Sequence, residues 1–250
     1  MRRRPAVAVL GTAAALAVYA VPGAQADEHH GDTRITQVVM NNGKGVAVGT
    51  GGKLFGYRVT GTDNSGLRAM EAWLWRGTDI NRPTAVTGGV YSGCTRSTCS
   101  VGGDIEPRRD GLVNADAGTW RVRIALFAQD DDYRTVDQAA TVQVLRIAKI
   151  TTGAFPASVK KGYPIVVSGD LIRADWEQQK YVTFGNQEAR LQFRPANSGS
   201  FRTVKIIKGD ADGFFRTTVR ATADGYWRLR FWGSSTTAAA SNAGAYVDVR

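Results

Sequence analysis

Short runs in which apolar and polar residues alternate follow one another along most of the chain. In the second half this period of two predicts strands at residues 163–168, 190–194, 202–207, 215–220, 227–231 and 245–249, with one more near Ile150. Val and Thr recur in these runs, and no long stretch has a helical period. The chain is therefore predicted to be all-β.

Three short sequence matches recur in the same order in the two halves of the chain. The matched pairs are Ile35-Thr36 with Ile150-Thr151, Val59-Thr60-Gly61 with Val167-Ser168-Gly169, and Gly118-Thr119-Trp120-Arg121-Val122-Arg123 with Gly225-Tyr226-Trp227-Arg228-Leu229-Arg230. Matches in one order at similar spacing indicate a duplication. They predict two domains, at residues 34–146 and 147–250, with the boundary between residues 146 and 149.

The first 26 residues have the pattern of a secretory signal peptide. Arg2, Arg3 and Arg4 precede an apolar, Ala-rich run, and the small-x-small triplet Ala24-Gln25-Ala26 ends it. We expect cleavage after Ala26, so that residues 27–33 form a polar tail before the first domain. Neither a lipidation cysteine nor a hydrophobic tail follows, and the expected location is therefore extracellular or in the cell wall.

Several segments of the exported part have a characteristic combination of aromatic, acidic and basic residues. They are Thr62-Asp63-Asn64-Ser65-Gly66, Gly118-Thr119-Trp120, Asp175-Trp176, Leu191-Gln192-Phe193-Arg194, Asp224-Gly225-Tyr226-Trp227-Arg228 and Ala245-Tyr246-Val247-Asp248-Val249. In these segments the chain resembles the tandem immunoglobulin-like domains of secreted actinomycete proteins. The resemblance covers nearly the whole exported chain. It implies two β-sandwich domains and export, and it implies no particular activity.

The two cysteines, Cys94 and Cys99, are only five residues apart. In an exported protein a pair this close predicts a disulfide across a tight hairpin, which acts as a local clip because the closed loop is small. A metal site would need further soft ligands nearby, and the surrounding residues provide none.

The residue types argue against an enzyme. The two histidines, His29 and His30, both lie in the polar tail, so the domains have no histidine for a catalytic triad or dyad. Bridged cysteines provide no thiolate, and no serine stands in a Gly-x-Ser-x-Gly turn. A glycosidase with two carboxylates is compatible with the residue types, but sandwiches of about 100 residues rarely form the deep cleft that it needs.

The basic excess lies entirely in the second half. Residues 147–250 contain 15 basic and 8 acidic residues, whereas residues 27–146 contain 14 of each. This asymmetry suggests an anionic polymer as a partner of the second domain, and the alternative is a contribution to solubility alone.

Alternation within three predicted strands separates a core side from a solvent side. Leu191, Phe193, Trp227, Leu229, Phe231, Val247 and Val249 are predicted to face inward. The outward residues, which form the candidate ligand-binding set, are Arg190, Gln192, Arg194, Arg228, Arg230, Trp232, Tyr246 and Arg250. Guanidinium groups suit phosphates and carboxylates, so wall polymers and acidic polysaccharides are the candidate ligands. Nucleic acid is a less natural partner outside the cell. The alternative is a solvated face whose arginine stems cover the sheet.

Two candidate metal sites follow from the acidic loops and the new N-terminus. Asp63 and the run Asp130-Asp131-Asp132 are predicted to lie in loops at one end of the first sandwich, where carboxylates could bind Ca²⁺. The alternative is a pair of hydrated acidic loops. If cleavage follows Ala26, the terminal amine, two amides and His29 could bind Cu²⁺ or Ni²⁺ in a square plane, and the alternative there is a disordered tail.

The segment Met70–Arg76 leaves two orientations open. Trp73 and Trp75 share one face of this strand, and Met70, Ala72 and Leu74 share the other. If the aliphatic face is the core, the tryptophans are exposed and could stack on sugars. If the tryptophan face points inward, one of them is a core residue, and we favour this second alternative.

These observations lead to one expected function and two rivals. We expect a non-catalytic protein that adheres to an anionic envelope or matrix polymer through its second domain. The main rival is a structural or Ca²⁺-stabilised spacer without a specific ligand, and a hydrolase is a distant third.

Overall fold

The computed structural model describes residues 27–87 and 89–250, so the candidate signal peptide at residues 1–26 lies outside the described residues. Regular structure in the described part is β, apart from two short 3₁₀ turns at Asn41–Gly43 and Asn114–Asp116. The prediction of an all-β chain is confirmed. Within residues 27–87 and 89–250, no helix is long and apolar enough to cross a membrane.

The strands are numbered in chain order, and ten lie in residues 27–146 of the described chain, which we call the first half. They are β1 (His29–His30), β2 (Arg34–Met40), β3 (Val46–Val48), β4 (Lys53–Thr62), β5 (Leu67–Arg76), β6 (Ala85–Val86), β7 (Val90–Gly93), β8 (Thr98–Ile105), β9 (Gly118–Ala128) and β10 (Tyr133–Arg146).

The first half contains two sheets. A three-stranded sheet has the order β2-β4-β8, and a seven-stranded sheet has the central order β1-β10-β9-β5-β6. In the larger sheet, β7 also pairs with β5, and β3 runs parallel to β10. Inward side chains of both sheets form one hydrophobic cluster that contains Trp120, Val59 and Leu126.

Eleven described strands lie in residues 147–250, the second half. They are β11 (Ala148–Ile150), β12 (Gly153–Phe155), β13 (Ser158–Val159), β14 (Pro164–Asp175), β15 (Lys180–Thr183), β16 (Glu188–Pro195), β17 (Arg202–Lys208), β18 (Phe214–Arg220), β19 (Gly225–Phe231), β20 (Ala240–Ser241) and β21 (Ala245–Val249). A strand occupies each position predicted from the alternation, but β14 continues seven residues beyond its predicted end at residue 168.

The second half also contains two sheets, one of five strands and one of six. Strands β11, β12, β15 and β18 all pair with β14, and the other sheet has the order β13-β21-β19-β16-β17 with β20 on β19. The short strand β13 runs parallel to β21, just as β3 runs parallel to β10. A separate cluster that contains Trp227, Leu229 and Phe215 lies between these sheets.

The repeated glycines have a steric reason. A β carbon on Gly61 would collide with the carbonyl oxygen of Arg34, and one on Gly169 would collide with that of Thr151. At these two positions a neighbouring backbone carbonyl approaches too closely for any side chain, so both positions require glycine.

The two halves are joined by a buried junction. Strand β10 ends at Arg146 and β11 begins at Ala148, with a single residue between them. Arg146 is buried, and its Nε donates to Ala174 O at 2.6 Å. Trp176, which follows β14, is 1% exposed and belongs to the hydrophobic cluster of the first half. Its Nε1 donates to Val48 O at 3.3 Å. An aromatic residue of the second half thus completes the core of the first.

The predicted disulfide is confirmed, since Cys94 and Cys99 are bonded, with their Cα atoms 4.3 Å apart. The bridge closes the hairpin between β7, which belongs to the seven-stranded sheet, and β8, which belongs to the three-stranded sheet. It therefore clips the point at which the chain crosses from one sheet to the other.

The polar segment at residues 27–33 is packed against the first half and is not a free tail. Strand β1 pairs with β10, Asp27 accepts from Arg134 Nη2 at 2.6 Å, and Thr33 is 4% exposed. Polar contacts with β10 hold this segment in place. The composition of the segment alone does not indicate these contacts.

Candidate functional site

Four of the five predicted arginines lie on two adjacent strands of the six-stranded sheet, β16 and β19, and Arg250 directly follows β21. Strand β19 lies between β21 and β16, and β17 lies beyond β16. Arg190 is directly opposite Arg230, Gln192 is opposite Arg228, and Arg194 is opposite Tyr226. Since alternate residues point to one side of a strand, these side chains share a surface.

The opposite side of the same strands forms the core. Leu191, Trp227, Leu229, Phe231 and Val247 are buried. Phe193 and Val249, also predicted to face inward, are half-buried and pack against the same cluster. The surface that carries Arg190, Arg194, Arg228 and Arg230 is called the arginine face below.

Each guanidinium of the arginine face lies against an aromatic ring. The guanidinium carbons of Arg190 and Arg230 are 4.1 and 4.2 Å from the centre of the Trp232 ring. Those of Arg228 and Arg194 are 3.7 and 5.3 Å from the centre of the Phe201 ring. Cation–π contact of this kind holds a guanidinium flat and restricts its rotamers.

None of the four arginines forms an ion pair with any residue that the structure describes. Burial, together with the charges of Arg230 and Arg194, holds the pKa of Arg228 below its usual range. A group of like charges without counterions is electrostatically unfavourable, and an anion would relieve it.

The other predicted ligand-binding residues contribute unequally. Gln192 is only 5% exposed and accepts from Arg228 Nε at 2.9 Å, so it positions Arg228 and offers little surface. Trp232 and Tyr246 are exposed. Arg250 is paired with Asp248 at 2.9 Å, which offsets its charge.

Two aromatic residues of the face were missed by the sequence analysis. Tyr226 lies under Arg194 at 4.2 Å and makes an edge contact with Tyr246. The other is Phe201, which precedes β17 and so fell outside any predicted strand. The alternation on β19 points Tyr226 outward together with Arg228 and could have identified it.

The first half has the equivalent arginine pair, but there one of the two arginines has a carboxylate partner. Arg123 lies over the Trp73 ring, and its Nε is 3.2 Å from Asp137 Oδ1. Arg121 lies over the Trp75 ring and donates to Gln138 Oε1 and to the Gly77 carbonyl. The two halves thus share the stacking of arginine on aromatic rings, but only the first half provides a counterion, for one arginine of its pair.

The difference arises in the strand beside the arginine pair. In β10 the register shifts between Val136 and Ala140, and the intervening residues include Asp137 and Gln138. In the second half, residues 242–244 between β20 and β21 are Asn-Ala-Gly and provide no carboxylate. The arginine pair of the second half is therefore left without a counterion.

The preferred orientation of the tryptophan segment is wrong. Met70, Ala72 and Leu74 belong to the core cluster, so Trp73 and Trp75 point to the outer face of the sheet. Trp75 is nevertheless 1% exposed, because Arg121 covers its ring and its Nε1 donates to Asp137 O at 2.7 Å. The core tryptophan of this half is instead Trp120, which belongs to β9.

Part of the predicted acidic site comes together at one end of the first half. Carboxylate oxygens of Asp63 and Asp132 lie within 4.8 Å of each other and of Asp32, which the sequence analysis did not include. Asp130 instead accepts a hydrogen bond from the backbone amide of Asp132 through a carboxylate oxygen. Asp131 forms an ion pair with Arg68 at 2.8 Å. Asp32 was missed because residues 27–33 were taken for a tail.

Hydrogen bonds hold the central carboxylate of this group. Asp63 accepts from the hydroxyls of Thr33 and Ser65, both at 2.6 Å, and from the Ser65 amide at 2.8 Å. Desolvation raises the pKa of Asp63, but these hydrogen bonds outweigh it and hold the pKa below its ordinary value. The carboxylate is therefore ionised at neutral pH.

The candidate Cu²⁺ or Ni²⁺ ligand His29 lies in β1, opposite Arg134. The neighbouring Glu28 accepts from the Thr135 amide at 2.8 Å through its carbonyl. If cleavage follows Ala26, a square-planar chelate made by residues 27–29 would require this extended segment to leave β10.

Comparison with known proteins gives no match to a protein-family model and none to a curated sequence. Among solved structures, red sea bream transglutaminase aligns with a TM-score of 0.36 and 10% identity, over 87% of this chain and 31% of that one. Dimeric latent PorU from Porphyromonas gingivalis aligns with a TM-score of 0.34 and 9% identity, over 88% and 24%. The chain thus spans less than a third of either protein, and likenesses this low indicate no shared function.

Proposed function

We propose that the chain is a secreted, non-catalytic binding protein of two tandem immunoglobulin-like domains. Its arginine face engages an anionic polymer of the cell envelope or the surrounding matrix. The observation that supports this proposal most directly is a set of four arginines that stack on aromatic rings and have no carboxylate partner among the described residues.

The strand order supports the domain proposal. In the first half one sheet has the order β2-β4-β8, and in the second half β12 and β18 pair with the same residues of β14, which gives the order β12-β14-β18. In the other sheet a short strand runs parallel to the last strand of the half, and that last strand is followed by β9 and β5 or by β19 and β16. This arrangement is compatible with an immunoglobulin-like sandwich and supports the proposal. The disulfide and the pattern of residues 1–26 support export.

Restoring the missing carboxylate should weaken binding. Ser241 is exposed and directly opposite Arg230, so an aspartate there could pair with the arginine as Asp137 does with Arg123. We expect Ser241→Asp to reduce the affinity for purified cell walls by about tenfold, or about 1.4 kcal/mol, through one lost charged contact.

The matched control is Ser241→Asn, which has nearly the same shape and no charge. Both variants and the unchanged chain would be cosedimented with walls before and after removal of the anionic wall polymers. Binding that needs the polymer, and that falls in the aspartate variant alone, supports the proposal. Equal binding by both variants would count against it.

Ca²⁺-dependent stabilisation at the acidic group is a second candidate function, favoured by the convergence of Asp32, Asp63 and Asp132. Oxygen ligands from three carboxylates suit Ca²⁺. At about 100 times its Kd, bound Ca²⁺ should stabilise the folded chain by about 2.7 kcal/mol and raise Tm by roughly 5–10 °C.

The test is a melting series in Ca²⁺ and in chelator. Asp132→Asn should remove the Ca²⁺ response, whereas Asp131→Asn, which changes a carboxylate paired with Arg68, should retain it. An unchanged Tm of the natural chain in Ca²⁺ would refute the stabilised-spacer proposal.

A further inference from the structure

The four arginines are grouped into two pairs, each on its own aromatic ring. The first pair is Arg190 and Arg230 on Trp232, and the second is Arg194 and Arg228 on Phe201. We call these groups the Trp232 clamp and the Phe201 clamp. The members of the Trp232 clamp are direct cross-strand neighbours, whereas those of the Phe201 clamp lie diagonally across β16 and β19.

The guanidinium edges in the clamps have unused hydrogen-bond donors. Among the described residues, the side chains of Arg190 and Arg230 make no hydrogen bond within the chain. Arg194 donates one to Ser198 O at 2.7 Å, and Arg228 donates to Gln192 Oε1 at 2.9 Å and to Asn242 O at 3.5 Å. Since a guanidinium has five N–H donors, most of the donors on this face remain free for a ligand.

The aromatic rings of the clamps are already in contact with arginine side chains. Trp232 is contacted by two guanidiniums, Phe201 by two, and Tyr226 by Arg194. Of the aromatic residues on the face, Tyr246 alone has no guanidinium over its ring among the described residues. The face therefore has few aromatic rings on which a sugar could stack.

The pairing favours a tetrahedral oxyanion. A carboxylate has two oxygens in one plane and suits a single guanidinium fork. A phosphate group has oxygens pointing in several directions, so one phosphate can accept from both arginines of a clamp. We propose that each clamp binds one phosphate group, so that the face is a bivalent receptor for a chain of phosphates. This inference rests on the proposed function and names its ligand class.

The spacing of the clamps suits a linear chain. Residues in a strand rise about 3.4 Å each, so Arg190 and Arg194 are about 14 Å apart along β16, and Arg228 and Arg230 about 7 Å apart along β19. The clamp centres are therefore about 10 Å apart. A ligand that reaches both clamps gains through effective concentration, whereas a single phosphate cannot.

Calorimetric titration of the full chain with orthophosphate, pyrophosphate and long-chain inorganic polyphosphate tests this inference. We expect the long chain to bind roughly 10²-fold more tightly per molecule than orthophosphate. The double variants Arg190→Gln/Arg230→Gln and Arg194→Gln/Arg228→Gln should each reduce polyphosphate binding to about the orthophosphate level. Arg216→Gln/Arg220→Gln, which removes two charges from β18 in the other sheet, should leave it unchanged.

Polygalacturonate, a polymer of carboxylates, separates failure of the clamps from failure of the proposed function. Tighter binding of polyphosphate that depends on both clamps supports the bivalent receptor. If the two polymers bound equally and binding did not depend on phosphate chain length, the clamp proposal would be refuted. The proposed function, binding of an anionic polymer, would still hold. If neither polymer bound, both proposals would fail. Melting curves of each variant would confirm that it is folded.

Discussion

Trp176→Ala is expected to lower the free energy of unfolding by about 3–5 kcal/mol, the usual cost of removing a buried tryptophan. Its indole is buried in the hydrophobic cluster of the first half and donates to the Val48 carbonyl. Because Trp176 itself belongs to the second half, the substitution should also weaken the coupling between the halves. Urea denaturation should show the midpoint fall and the transition broaden or divide.

Trp232→Ala is the matched control, since it removes an exposed tryptophan from the same half. Its contacts with Arg190 and Arg230 are cation–π contacts at the surface, so the expected change in stability is about 1 kcal/mol or less. A similar loss of stability in both variants would contradict the role assigned to Trp176. A single sharp transition in Trp176→Ala would contradict the coupling.

Replacing Arg190, Arg194, Arg228 and Arg230 together by serine is expected to reduce affinity for a purified anionic wall polymer by about 10³-fold or more. Each arginine has donors that no carboxylate of the described chain occupies, and a charge-assisted hydrogen bond contributes about 1.5–3 kcal/mol. Stability should fall by no more than about 1–3 kcal/mol, because relief of repulsion among like charges offsets part of the loss of the cation–π contacts and of the hydrogen bond to Gln192.

The control for this variant changes the same number of charges elsewhere in the second half. Lys160, Lys161, Arg216 and Arg220 are exposed, and none belongs to the sheet that carries the arginine face. Replacing all four by serine should reduce affinity by less than about tenfold, through net charge alone. Equal losses in the two variants would mean that total charge, not the arginine face, determines binding.

The strands of the second half could be predicted because alternation directly records which side chains are buried. It places Leu191 and Leu229 inward and therefore Arg190 and Arg230 outward, and the structure has this arrangement. Alternation does not state which of two faces is the core when both are apolar. In the structure Trp75 faces outward but is still buried, because Arg121 and the backbone of Asp137 cover it.

The parts of the candidate sites that were missed depend on contacts distant in sequence. Asp32 joins Asp63 and Asp132 because β1 packs on β10, and no local pattern in residues 27–33 indicates this. The burial of Trp176 against β3 likewise depends on how the halves meet. The ion pair of Arg123 depends on an irregularity in β10, whose position alternation cannot specify.

The salt dependence of binding to a purified anionic wall polymer tests the central claim most directly. For the unchanged chain, the logarithm of the binding constant should fall linearly with the logarithm of salt concentration. Its slope should be near −1.4 if each of the two clamps neutralises one phosphate at about −0.7, and the four-serine variant of the arginine face should lose most of it. The same slope in both proteins would contradict the claim that the arginine face binds the polymer.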